Sequence, residues 1–250
     1  IDSEAFGACD LSSLKLIFWS GGVSSVPLLE KLEALGARLL NAYGMTEATS
    51  NIAYTQHDAD LKTLSETIGH AAPDCEIKIM NEAGDTLESG EEGEICVRCN
   101  HLMLGYFHRE DATRDAIDAE GWLHTGDVGT LSPDGSLRLT GRKKEMFKSG
   151  GYNVYPREIE QVLEAMPGVS AAAVVSAPHP LYGESGVAYI AVLPGAELSQ
   201  ADFRTHCKDR LANYKIPKIF RVKHELPTLA VGKIDKSALR QDAAAAFSDL

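Results

Sequence analysis

The 250 residues contain no apolar run long enough to cross a bilayer, and no charged-then-apolar leader opens them, so neither a spanning helix nor a secretory signal is expected. Basic residues are in deficit: 24 Lys and Arg against 36 Asp and Glu give a formal net charge of -12. A surface of that sign repels a polyanionic backbone, which argues against nucleic acid as a partner; a local basic face could still hold one small phosphate ligand. Internal repeats are lacking, and the only low-complexity tract is Ala243 to Ala246. No initiator Met precedes Ile1, so the chain is expected to have been part of a longer polypeptide.

Disulfide pairing is also not indicated. Five cysteines (Cys9, Cys75, Cys96, Cys99 and Cys207) are an odd number scattered along a long chain, the pattern of thiols in a reducing compartment, with the cytoplasm as the expected location. Cys96-Val-Arg-Cys99, followed by His101 and His108, has the donors for a tetrahedral metal shell. A second Cys pair is absent, however, and residues 94 to 98 alternate like a half-buried strand, so thiols that are buried or lie at a sheet edge are the expectation.

What is present is a 44% hydrophobic content, enough to bury a substantial core and, at this length, two globular units. Leu14 to Trp19 is a short apolar run ending at Ser20-Gly21-Gly22; Pro27 then opens a segment with Leu28, Leu32 and Leu35 at helical spacing, and Arg38 to Tyr43 is apolar again. Strand, helix, strand in that order predicts a parallel crossover, with ligand sites at the carboxyl ends of its strands, where Gly21-Gly22 and Tyr43-Gly44 fall. From about 68 to 140 the period shortens to short alternating strands around Cys75 to Ile79, Ile95 to Val97 and Leu137 to Leu139, with turns at Asn81 to Asp85 and Ser132 to Gly135. Beyond Arg142, Pro156 opens a helix with Ile159, Val162, Leu163 and Met166 on one face. Strands follow at Val169 to Ser176, Val187 to Leu193 and Lys218 to Lys223, with a helix capped by Ser199 and Asp202 and a last helix from Asp235. The fold class is therefore α/β plus α+β.

Four segments carry chemistry: Asn41-Ala42-Tyr43-Gly44-Met45-Thr46-Glu47; Gly121-Trp122-Leu123-His124-Thr125-Gly126-Asp127; Gly141-Arg142-Lys143-Lys144-Glu145 running through Lys148-Ser149-Gly150-Gly151-Tyr152 to Glu160; and Tyr214-Lys215-Ile216-Pro217 leading to Pro227-Thr228-Leu229-Ala230-Val231-Gly232-Lys233. In this order and at these separations, over nearly the whole chain, they resemble the adenylate-forming (AMP-binding) superfamily, which includes acyl-CoA synthetases. The resemblance implies the end of a large N-terminal domain over 1–141 (α/β to residue 60, mostly β from 61), a hinge at 142–145 and a small mobile α+β lid over 146–250. It implies a carboxylic acid, ATP and coenzyme A as substrates, Mg²⁺ as the metal, and an acyl-adenylate that goes on to a thioester.

Residue by residue, the resemblance assigns catalytic roles to Lys233, Thr46 and Glu47. Lys233 bridges the reacting carboxylate and the α-phosphate, Thr46 donates to an α-phosphate oxygen, and Glu47 supplies a hard oxygen to Mg²⁺. Tyr43 lies against the adenine, Gly22 gives close backbone approach, and Gly44 is assigned to the same cofactor site. Asp127 and Arg142 hold the ribose. Lys144 is the hinge, and Lys148, Gly150 and Gly151 face the pantetheine arm. A turn is the ordinary reading of the glycine pair, and a turn cap the ordinary reading of Asp127.

The chain departs from the family in one respect. The family's Ser/Thr/Gly-rich loop ending in Lys, which wraps the β- and γ-phosphates, has no match; Ser20 to Ser25 has no lysine after it. The missing loop is expected on an N-terminal part of the same polypeptide, so these residues alone are expected to be inactive in adenylation. The acid is not readable. Transfer to a carrier protein, or a non-catalytic nucleotide- or CoA-binding module, are the alternative functions.

Overall fold

The computed structural model describes residues 4–230 and 232–247; Ile1, and Val231 of the fourth motif, lie outside the described residues. Two compact units divide the chain at Thr140 and Gly141. Among the described residues no helix is long and apolar enough to cross a membrane.

The first unit opens with α1 (Glu4–Gly7), β1 (Leu16–Ser20), α2 (Val26–Glu33) and β2 (Arg38–Gly44). β1 and β2 pair in parallel, from Leu16 opposite Arg38 to Ser20 opposite Ala42, so the crossover read from the sequence is formed. β3 (Asn51–Tyr54) and β4 (His70–Ala71), with α3 (Leu61–Glu66) between them, extend this sheet antiparallel in the order β1-β2-β3-β4. The α2 face differs from the Leu28, Leu32, Leu35 reading. Leu29 is fully buried, packed with Leu39 and Leu64, whereas Leu28 is exposed, because the helix turns its Leu29 and Leu32 edge towards β2 and α3.

β5 (Cys75–Met80), β6 (Gly93–Cys99), β7 (Leu123–Leu131) and β8 (Leu137–Arg142) form a second sheet in chain order, with α4 (Glu110–Ala116) before β7. The period-2 alternation puts Cys75, Ile79, Ile95, Val97, Leu123 and Leu137 into one core with Tyr43, Ile52 and Ala53 of the first sheet and with Ile68, just before β4. Both turns form as read: the Asn81 side chain accepts from the Ala83 and Asp85 amides, and the Gly135 amide donates to the Ser132 carbonyl.

The second unit is a sheet of β9 (Phe147–Ser149), β10 (Tyr152–Val154), β11 (Val169–His179), β12 (Gly183–Val192) and β13 (Ile219–Lys223), ordered β10-β9-β12-β11, with β13 parallel to β12. Its central strands are buried on both faces, which is why they read as continuous apolar runs. α5 (Pro156–Glu164) and α6 (Gln200–Lys208) cover Ala172, Val174, Ala188 and Ile190, while α7 (Lys236–Ala243) covers Ala173, Val175, Val187 and Tyr189. The capping box at Ser199 forms: its hydroxyl accepts from the Asp202 amide while the Asp202 carboxylate accepts from the Ser199 amide.

Asn41 is fully buried, yet neither its Nδ2 nor its Oδ1 has a hydrogen-bond partner. An unsatisfied buried amide costs about 1–3 kcal/mol. Asn41→Leu, close to isosteric, is therefore expected to raise the denaturant midpoint; a fall would show that the amide is hydrogen-bonded in solution.

Candidate functional site

The first and second sequence motifs meet in the core of the first unit. Tyr43, near the carboxyl end of β2, is 6% exposed, and its hydroxyl donates to Oδ2 of Asp127 at 2.7 Å, across 84 positions of sequence. Asp127 is 3% exposed and lies within β7 at a break in its pairing with β6, where Gly126 has a φ of 71° and the Asp127 amide donates to Thr125 Oγ1. A buried carboxylate requires donors, and the bond from Tyr43 fixes β7 against the end of β2. Trp122 packs with Met80 and Cys96, its ring covered by Lys78 Nζ at 4.0 Å and the Arg98 guanidinium at 4.5 Å from the centroid.

Just beyond Tyr43, Thr46–Ala48 forms a single 3₁₀ turn with Thr46 exposed. Gly44 is required by its own turn, since a Cβ there would stand 2.3 Å from the Ser50 carbonyl oxygen. Gly21 and Gly22 end β1 beside Ala42, with φ of 109° and 137° and open space where side chains would project. The residues that hold the turn come from a segment no motif identified. Tyr106 Oη donates to Glu47 Oε1 at 2.8 Å, the Met103 amide donates to the Glu47 carbonyl at 2.7 Å, and Thr49 Oγ1 donates to the His101 carbonyl at 2.6 Å. The Glu47 acceptor pushes the Tyr106 phenol above its ordinary pKa. Thr49, β-branched, is held at φ 62°, a strained conformation of the kind that clusters at functional sites. A single half-buried carboxylate beside an exposed hydroxyl suits Mg²⁺, which is bound by one or two carboxylates together with substrate phosphates.

The second unit carries the other assigned residues. Arg142 ends β8 and is exposed; Lys144 is exposed within the 3₁₀ turn Lys143–Glu145. Lys148 lies exposed on β9. Gly150 and Gly151, at φ 58° and 88°, form the two-residue loop of the β9–β10 hairpin, a type I′ geometry that selects glycine. Tyr152 follows, 60% exposed and stacked on Tyr214 at 4.6 Å. Lys233 is exposed on a separate tight hairpin: Thr228 bridges Ile234, the Leu229 amide donates to the Lys233 carbonyl at 2.7 Å, and the Asp235 amide donates to the Pro227 carbonyl at 2.7 Å. Lys236, which the sequence reading did not pick out, bonds Glu145 and the buried Glu160, the latter at 2.9 Å, and so anchors the Lys143–Glu145 turn to α5 and α7.

Cys96 and Cys99, three residues apart on β6, project to opposite faces, so the four-donor set with His101 and His108 does not assemble. Cys96 Sγ stands 3.5 Å from His124 Nδ1, whereas Cys99 Sγ stands 3.5 Å from His101 Nδ1, with Cys75 opposite.

Known proteins match both units. Residues 2–107 match the model of the AMP-binding enzymes, and residues 158–233 match that of the AMP-binding enzyme C-terminal domain. The chain is 40% identical over 235 residues to a methyl-dioxo-octahydroindenyl-propanoyl:CoA ligase of Rhodococcus jostii, covering 93% of this chain and 44% of that protein. It is 39% identical over 243 residues to a long-chain-fatty-acid–CoA ligase of Yersinia pestis, covering 97% of this chain and 42% of that protein. Among solved structures, the o-succinylbenzoate CoA synthetase of Bacillus subtilis in complex with its acyl-adenylate intermediate superposes with a TM-score of 0.82 at 36% identity, over 92% of this chain and 46% of that one. The chain belongs to the AMP-binding enzyme family and spans a little under half the length of these relatives.

The thiols differ sharply in environment. Burial, together with the neighbouring Cys99, pushes Cys75 up to about 12, and burial pushes Cys207 up to about 11, whereas Cys9 lies exposed. A thiol at 12 is ionised to about one part in ten thousand at pH 8. Iodoacetamide at pH 8 is therefore expected to modify Cys9 well before Cys75 and Cys207 on the folded chain, read by peptide mass; equal rates would contradict the packing.

Proposed function

We propose that this chain forms the nucleotide-facing and lysine-bearing part of an ATP-dependent acyl-CoA synthetase. In the first half-reaction a carboxylate attacks the α-phosphorus of ATP and pyrophosphate leaves. In the second, the thiol of coenzyme A attacks the acyl carbon and AMP leaves. The observation that carries the reading is the Tyr43–Asp127 hydrogen bond, which brings two independently identified motifs to one place beside the Thr46–Glu47 turn.

In this mechanism Asp127 accepts from the ribose hydroxyls while Tyr43, tied to it, presents its ring to the adenine. Gly22 keeps the path to the base clear, and Arg142 adds donors to the sugar. Thr46 donates to an α-phosphate oxygen. Glu47, steadied by Tyr106, holds Mg²⁺, which offsets charge on the phosphates when bound. Lys233 brings an ammonium to the oxygens shared by acid and α-phosphate, where negative charge accumulates; such transfers are accelerated mainly by positioning and charge neutralisation. Rotation about Lys144 then exchanges the Lys233 hairpin for the Lys148-to-Tyr152 hairpin, so that one nucleotide site serves two reactions in turn. The two ligases named above act on a fused-ring propanoate and on long-chain fatty acids, which supports an acid with a large apolar body. Unbridged, buried thiols suit a reducing compartment such as the cytoplasm.

Two substitutions in the polypeptide that carries this chain test the division of labour. Lys233→Ala is expected to lower ATP–pyrophosphate exchange by at least about 100-fold while leaving thioester formation from supplied acyl-adenylate near its normal rate; equal loss of both steps would refute it. Gly151→Asn keeps a residue that tolerates φ of 88°, so folding should hold while the thioester-forming step slows as the side chain intrudes on the pantetheine path. A normal thioester rate in Gly151→Asn would leave the glycine with only its turn role.

A further inference from the structure

Behind the Thr46–Ala48 turn lies a group of donors that the proposed reaction does not use. Cys75, the first residue of β5, is directly opposite Cys99, the last residue of β6, in the antiparallel register, and His101 follows two residues on. One ligand atom from each of the three lies within 4.8 Å of the other two. Cys75 is buried, while Cys99 and His101 are half-buried and leave a side open to solvent. We propose that Cys75, Cys99 and His101 form a binding site for a soft divalent cation of the zinc class, completed by one solvent molecule.

The imidazole geometry carries the assignment. His101 Nδ1 is 2.9 Å from the Ala48 carbonyl oxygen, which can only accept, so Nδ1 carries the proton and Nε2 keeps its lone pair. A backbone carbonyl fixing one ring nitrogen is the usual support of a metal-ligating histidine. Nε2 faces Cys75 Sγ at 3.5 Å, whereas Cys99 Sγ stands 3.5 Å from Nδ1 and has to swing towards Nε2 as the cation enters. With Zn–S of about 2.3 Å and Zn–N of about 2.0 Å, the sulfur-to-nitrogen edge of a tetrahedral shell is about 3.5 Å, so the pair of Cys75 Sγ and His101 Nε2 already has ligand spacing. Two thiolates and one imidazole favour zinc over magnesium or calcium, which take oxygen. Binding displaces the two thiol protons to solvent as two S–metal bonds form.

The second group on this sheet, Glu94, Cys96 and His124, differs. His124 Nδ1 lies 3.2 Å from Glu94 Oε2 and its Nε2 lies 3.7 Å from Asp118 Oδ2, so each ring nitrogen faces a carboxylate, and the group reads as a polar network. The proposed site also abuts the candidate nucleotide turn, since Ala48 supplies the carbonyl that orients His101. Cation binding itself does not depend on the functional reading of that turn.

The test is titration of the full chain, kept reduced with a phosphine, with Co²⁺ as the spectroscopic stand-in. About one equivalent is expected to bind with thiolate-to-cobalt charge-transfer absorption and to be displaced by Zn²⁺. Cys75→Ser and Cys99→Ser should each abolish that absorption. His101→Gln should weaken binding at least about tenfold, and Cys96→Ser should leave it unchanged. Circular dichroism confirms folding, and the half-buried Cys99 keeps the test decisive should Cys75→Ser not fold. No charge-transfer band, or a band that survives Cys99→Ser, overturns the proposal. So does a reduced chain that takes up no cobalt while peroxide closes Cys75 and Cys99 into a disulfide.

Discussion

One buried hydrogen bond organises the first unit. The Asp127 carboxylate is almost wholly withdrawn from water and needs hydrogen-bond donors there; Tyr43 supplies one at 2.7 Å from the other sheet. Around it β7 is tied down locally: Thr125 Oγ1 donates to the Ile95 carbonyl, and the Gly126 amide donates to Glu94 Oε1. The end of β2 is thus fixed in relation to β7, and the Thr46–Ala48 turn that follows inherits its position.

That turn is short, strained at its exit by Thr49, and could not hold its shape alone. Residues 101 to 106 brace it from outside, with two side-chain bonds at Glu47 and Thr49 and two backbone contacts at Glu47 and Ala48. The glycines divide by cause. Gly44 is demanded by close backbone approach within the turn, whereas Gly22 leaves open space at the strand end, where a ligand could come close. The second unit holds Lys148, Gly150, Gly151 and Lys233 differently, on two exposed hairpins, one at the edge of its sheet and one closed by the separate Thr228–Ile234 bridge. The cluster of Lys236 with Glu145 and Glu160 secures the base of that arrangement; a buried charge of this kind is costly to leave unpaired, so the three side chains stand or fall together.

Much of this was legible beforehand where the cause is local. The β1–α2–β2 crossover followed from two apolar runs flanking a Pro-initiated segment, and the helix at Ser199 from a Ser and Asp three apart. The alternation of Cys75, Ile77 and Ile79 announced a sheet face. The α2 face was misread by one residue because three leucines at helical spacing do not say which neighbour the helix will meet; α3 and β2 decided for Leu29. The 61–66 and 110–116 helices were passed over, being short and weakly periodic, and Tyr106 had no signal because its partner is 59 residues away. The alternation around Cys96 and Cys99 predicts thiols that are buried or at a sheet edge rather than one donor set, and the strand sends them to opposite faces.

By itself the sequence determined the order of elements, the turn and cap chemistry and the four motifs, because those depend on neighbours within a few residues. Only the tertiary structure decided that Asp127 lies buried against Tyr43, that Tyr106 and His101 brace the Thr46 turn, and that Cys75 meets Cys99 and His101. Those contacts join residues tens of positions apart, and which of them form is set by sheet register and by the exclusion of water from a shared core, neither of which is written at any single position.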